Sequence, residues 1–168
     1  GDKHGDYDQK FEFCYKNNTS KNDIMIILGD AGINYYLDSK DYTLKNYLKE
    51  LPITLFCIHG NHEERPYNIA GYKSKIFNNG IVYYEEKYPN ILFAKDGEVY
   101  NFNGVSTLVI GGAYSVDKYY RLALGYNWYE SEQPNEKIKN DVRKTLKNYN
   151  NKMDVILSHT CPFKYMPY

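Results

Sequence analysis

The sequence has no long apolar run. Its longest, Ile24 to Leu28 and Ile53 to Ile58, fall well short of the about 20 residues needed to cross a bilayer, so no membrane partner is expected. It also lacks a charge excess: 21 Lys and Arg balance 21 Asp and Glu, which leaves no electrostatic footprint for a nucleic-acid backbone. Nucleic acid is therefore not an expected partner. Cysteine is scarce, and Cys14, Cys57 and Cys161 are odd in number, scattered and set among apolar residues. That spacing excludes a disulfide framework and suits core thiols in a reducing compartment; with no signal-peptide pattern at the start, a cytoplasmic protein is expected. Arginine is equally scarce, since only Arg65, Arg121 and Arg143 stand among the 21 basic residues. The abundance of Lys, Asn and Ile and the 20 tyrosines point to AT-rich codons, with most rings filling core and surface alike.

Linkers, charge blocks and internal repeats are absent, so residues 1–168 read as one domain. Helical spacing marks Asp6 to Asn17 through Tyr7, Phe11 and Cys14, and Asp41 to Leu51 through Leu44, Tyr47, Leu48 and Leu51. The short β-branched runs Asp23 to Leu28 and Ile53 to Ile58 predict buried strands in a β-α-β rhythm. From Gly80 to Gly112 the texture changes to short strands at Ile81 to Glu85, Ile91 to Ala94, Glu98 to Phe102 and Ser106 to Ile110. Asp96-Gly97 and Asn103-Gly104 supply the turns between them. A helix after Pro134, marked by Ile138, Val142, Leu146 and Tyr149, then leads into a last buried strand, Met153 to Leu157. The expected fold is α/β, with two sheets flanked by helices.

The residues just past each buried strand carry the chemistry. The first strand runs into Gly29-Asp30, the second into His59-Gly60-Asn61-His62-Glu63 and the last into Ser158-His159. Ligands of open α/β sheets bind beyond the carboxyl ends of strands, so these side chains are expected to converge. Gly1-Asp2-Lys3-His4-Gly5 adds a carboxylate and an imidazole two apart, a pair able to chelate one ion such as Mn, Fe or Zn.

Taken in order, Asp2-Lys3-His4, Gly29-Asp30, Gly60-Asn61-His62-Glu63 and His159 resemble the motifs of the calcineurin-like metallophosphoesterases, of which Gly-Asn-His-Glu is the specific piece. The resemblance implies a four-layer sandwich and two divalent metal ions. By it Asp2 and His4 bind one ion, Asp30 bridges both, Asn61 and His159 bind the second, and His62 is catalytic. The family's closing Gly-His-x-His and the strand before its Asp-x-His are not in this sequence, so the domain is expected to be incomplete at both ends. Gly29-Asp-Ala-Gly-Ile-Asn34 also lacks the Asp-Arg-Gly of Ser/Thr protein phosphatases, which leaves His62 without a nameable acid partner.

Two cations about 3.5–4 Å apart can hold a phosphate, lower the pKa of a shared water and neutralise an in-line transition state. The expected reaction is hydrolysis of a phosphate monoester, on a small molecule or a protein. Alternatives are a phosphodiesterase, nuclease or dinucleotide hydrolase on the same fold, or a non-catalytic scaffold, which the retained His62 disfavours. His59 is expected in the core or behind the ligands, and Glu63 to orient the Asn-His turn. Arg65, on the loop past His62, and Arg121 are the candidate phosphate forks, weighed against surface salt bridges. Tyr114, Tyr119, Tyr120 and Trp128 are candidates for the substrate mouth, against plain aromatic packing.

Overall fold

The computed structural model describes residues 7–161 and Lys164. Its elements run α1 (Asp8–Lys16), β1 (Ile24–Leu28), α2 (Ser39–Lys49), β2 (Thr54–Ile58), β3 (Lys73–Phe77), β4 (Gly80–Tyr84), β5 (Ile91–Ala94), β6 (Val99–Phe102), β7 (Val105–Ile110), α3 (Lys118–Ala123), α4 (Glu136–Asn148) and β8 (Val155–Ser158). The larger sheet has the order β1-β2-β5-β4-β3 and the smaller one β6-β7-β8. β1, β2 and β5 run parallel, as the β-α-β rhythm requires, while β4 pairs antiparallel with both β5 and β3. In the smaller sheet β7 pairs antiparallel with β6 and parallel with β8.

β2 shows how the layers are held. Every one of its residues is buried, and alternate side chains enter different cores. Leu55 and Cys57 pack with Cys14, Ile27, Leu48 and Leu51 under α1 and α2. Phe56 and Ile58 pack with Val82, Leu92, Tyr100 and Val109 between the two sheets. A strand apolar at every position is what burial on both faces demands, and each fully buried large side chain contributes about 1.5–3 kcal/mol. Two of the helices start at side-chain caps: Asp38 accepts from Lys40 N at 2.8 Å ahead of α2, and Asn135 accepts from Ile138 N at 3.0 Å ahead of α4. Thr145 on α4 donates to the Gly97 carbonyl at 2.8 Å, fixing that helix to the expected Asp96-Gly97 turn.

Burial departs from the expectation at two strands: Ile26 of β1 is exposed, and β8, expected to be buried, exposes Val155 and Ile156 at the edge of the smaller sheet, where it pairs with β7. Two further elements lie outside the sequence expectation. β3 is a mostly exposed edge strand whose Lys73-Ser74-Lys75 stretch lacks an apolar run; it pairs with β4 through Asn78 and Asn79, both at positive φ (47° and 72°). Such a pair makes the tight hairpin turn usually signalled by Asn-Gly. α3 is too short for helical periodicity to show. Cys14 and Cys57 are core thiols as expected, whereas Cys161 is exposed.

Candidate active site

The parallel strands β1 and β2 end side by side, and β8 of the smaller sheet ends against them. Asp30, just past β1, is 2% exposed and sits in the left-handed region at φ 48°, a conformation that Asp tolerates better than most residues. Its Oδ1 accepts from the amides of Asn61 (2.8 Å) and His62 (2.9 Å), and its Oδ2 lies 3.0 Å from His62 Nδ1 and 3.6 Å from His159 Nε2. A β-carbon on Gly29 would lie 2.1 Å from His159 Nδ1, and one on Gly60 2.1 Å from Asp30 Oδ1. Those two glycines are the condition for the three strand ends to touch.

Asn61 and His159 face each other at the strand ends. His159 Nδ1 is 2.7 Å from the Leu28 carbonyl and donates to it, which turns Nε2 toward Asn61. Nε2 lies 2.8 Å from Asn61 Oδ1, while Asn61 Nδ2 donates to Ser115 Oγ at 3.1 Å and fixes which end of the amide faces inward. A ring nitrogen and a carbonyl oxygen this close need a proton or a cation between them. Asp30, Asn61 and His159 thus form a carboxylate, amide-oxygen and imidazole set that fits one divalent ion, with the Leu28 carbonyl orienting the imidazole from behind. The described residues contain no group of three His, Cys, Asp or Glu placed for a metal; the trio here includes an Asn. Asp2 and His4 lie outside the described residues.

His62 is set apart from that trio by its partners. Nδ1 meets Asp30, and Nε2 meets Asp117 Oδ2 at 3.2 Å. With a carboxylate at each nitrogen the ring is doubly protonated. The Asp30 bond chiefly raises its pKa to about 9, against the pull of burial and with help from Asp117. Burial opposes ionisation of Asp30, but the hydrogen bonds from His62 and the nearness of His159 outweigh it and hold that carboxyl below its ordinary range. Glu63, fully buried, accepts from Gly60 N at 2.5 Å and so does orient the turn; burial lifts its carboxyl to about 8. His59 is buried, and its carbonyl accepts from Gly112 N at 2.7 Å.

The two arginines are scaffold rather than open forks. Arg65, 2% exposed, is paired with Asp96 and donates from Nε to the Ser131 carbonyl at 2.7 Å. It is absent from the cleft walls, so its placement does not support the expected phosphate contact. Arg121 does line the cleft but grips Glu132 at 2.6 Å (Nη2) and 3.1 Å (Nη1), with Nη2 also reaching the Asn61 carbonyl at 3.3 Å. Both are buried pairs, neither a surface salt bridge nor a free cation.

A cleft of about 320 Å³ opens at His62, lined also by Asp117, Arg121, Gly32, Tyr35, Tyr36, Tyr120 and Tyr126. Of the expected mouth residues only Tyr120 is there. Tyr114 and Trp128 line a separate hollow with Ser115 and Lys118, and Tyr119 is 73% exposed. Asp117 escapes a reading of the sequence because a single acid in a loop has no periodic signature; its one signal is a place four residues before Arg121, which it meets at 3.3 Å.

The family model for calcineurin-like phosphoesterases matches residues 1–166 of the chain. No curated protein and no solved structure gives a significant match. None of the described helices is long and apolar enough to cross a membrane.

Proposed function

The chain belongs to the calcineurin-like phosphoesterases, a family of metal-dependent hydrolases, and from that premise we propose that it hydrolyses a phosphate monoester at the cleft beside His62. The observation carrying this reading is the meeting of Asp30, Asn61 and His159 next to an imidazole held between two carboxylates. Asp30, Asn61 and His159 would hold one divalent ion, and Asp2 and His4, with Asp30 shared, a second. Bound there, such ions polarise the phosphoryl oxygens and neutralise their charge.

The chain's own residues then have distinct tasks. Asp30 keeps its charge because three donors surround it. His62 carries the proton for the departing alkoxide: as a water oxygen bonds to phosphorus and the ester bond breaks, Nε2 gives its hydrogen to the leaving oxygen, phosphate and alcohol depart, and the hydrogen is regained from solvent. Asp117 keeps Nε2 protonated and aimed into the cleft, which is the acid-partner role that no sequence motif located. Arg121 and Ser115 hold the Glu132 carboxylate, and Ser115 also holds the Asn61 amide, so the ligand end of β2 cannot swing away.

Metal analysis of the purified protein, paired with turnover of matched phosphomonoesters and diesters, tests this reading. Bound Mn, Fe or Zn with faster monoester cleavage is expected. Cleavage of diesters alone would make the cleft a phosphodiesterase, and no cleavage with metal bound would make the chain a scaffold.

A further inference from the structure

The cleft carries more aromatic surface than proton transfer to an ester requires. Tyr35, Tyr36, Tyr120 and Tyr126 all line it, and the last two are 62% and 54% exposed. Tyr120 and Tyr126 meet at 6.5 Å and 61°, and Tyr35 meets Tyr36 at 4.9 Å and 83°. Edge contacts of this kind leave ring faces uncovered. Lys40 Nζ stands 4.3 Å over Tyr36 and covers part of that ring.

The backbone that carries Tyr35 is not loosely held. The Tyr35 carbonyl accepts from Asn127 Nδ2 at 2.8 Å and from Tyr129 Oη at 2.6 Å, and the Asn127 carbonyl in turn accepts from Arg121 Nη1 at 3.1 Å. The loop after β1 and the segment after α3 are therefore tied together, so a guest entering between them has little backbone left to order. Arg121 is committed to Glu132, so the cleft offers no free guanidinium to grip a second anionic group. Recognition away from the phosphoryl group falls to the tyrosine faces.

We propose that the substrate is a small phosphate ester whose alcohol carries a flat aromatic ring, the ring lodging among Tyr35, Tyr120 and Tyr126 while the ester lies at His62. A volume of about 320 Å³ accommodates one ring system with a sugar-sized connection. This proposal rests on the phosphoesterase reading, and the test separates the two.

Adenosine monophosphate is compared with the ribose phosphate that lacks the base, in manganese-loaded protein. Both release the same primary alkoxide, so the ratio of kcat/KM isolates the ring. A preference of about tenfold or more for the nucleotide is expected, the usual scale of aromatic stacking. Tyr120→Leu and Tyr126→Leu should bring the ratio toward one, and Tyr→Phe at either position should preserve it. Calorimetric binding of the two compounds to metal-free protein supplies a readout independent of turnover. Equal turnover or equal binding of the two compounds overturns the proposal. A binding preference without hydrolysis of either compound supports the ring site and overturns the phosphoesterase reading instead.

Discussion

Two regions build this site in opposite ways. Asp30, Asn61 and His159 stand one to three residues past the ends of β1, β2 and β8, packed so closely that Gly29 and Gly60 admit no side chain. The segment from Gly111 to Gln133 is mostly turns and short helix, yet it delivers Asp117, Tyr120, Arg121 and Tyr126 to the same cleft. The first region gathers would-be metal ligands and the second surrounds His62, the proposed proton donor. A sheet can fix atoms to a fraction of an ångström for coordination, while a loop can supply varied surface for a leaving group.

The division can be broken at four places, with effects of decreasing size. His62→Ala should lower kcat by about 10²–10⁴ while leaving metal content unchanged, if Nε2 supplies a proton rather than a metal bond as proposed. Atomic absorption with steady-state kinetics checks it, and loss of metal would move His62 into the ligand set. The kcat loss should shrink for nitrophenyl phosphate, whose leaving group needs no proton.

Arg65→Ala tests whether that buried arginine is structural. It strands Asp96 in the interior and should cost about 3–5 kcal/mol, a drop in Tm of about 6–20 °C. The kcat per folded molecule should change little. A normal Tm with a raised KM would restore the phosphate contact expected from the sequence.

Asp117→Asn removes one charge-assisted hydrogen bond and should reduce kcat by about tenfold to a hundredfold, the scale of such bonds. It should also lower the His62 pKa from about 9. Because the folded pKa is raised above the ordinary value of 6.5, the His62 ion pairs stabilise the metal-free protein fully below pH 6.5. That contribution is lost as pH rises through about 9. In Asp117→Asn the loss should begin at lower pH, which urea titrations across the range will show.

Asn135→Ala, remote from the cleft, removes only the α4 cap and should cost about 1 kcal/mol of stability. A change in kcat there would mean that α4 couples to the site.

The same contrast explains what could be read from the sequence. β2 and β5 were legible because burial on both faces demands unbroken apolar runs, β1 because its run is just as apolar although Ile26 is exposed, and Asp30, Asn61, His62 and His159 because a short motif stood at each strand end. β3 was not, since an exposed edge strand needs no apolar run and its turn is Asn78-Asn79 rather than Asn-Gly. Asp117, Tyr35, Tyr36 and Tyr126 were hidden among 20 tyrosines and a balanced set of acids. The burial of Arg65 and Arg121 depends on Asp96 and Glu132 arriving from distant parts of the chain, which no local pattern announces.

The central claim is that His159 is a metal ligand while His62 is a proton carrier. Imidazole nitrogen-15 NMR during a zinc titration tests it on both residues at once. The account predicts that the His159 Nε2 resonance moves to the value of a metal-bound nitrogen, with Nδ1 still protonated toward Leu28, while His62 retains both ring protons. A metal-bound shift at His62, with His159 unchanged, would contradict it.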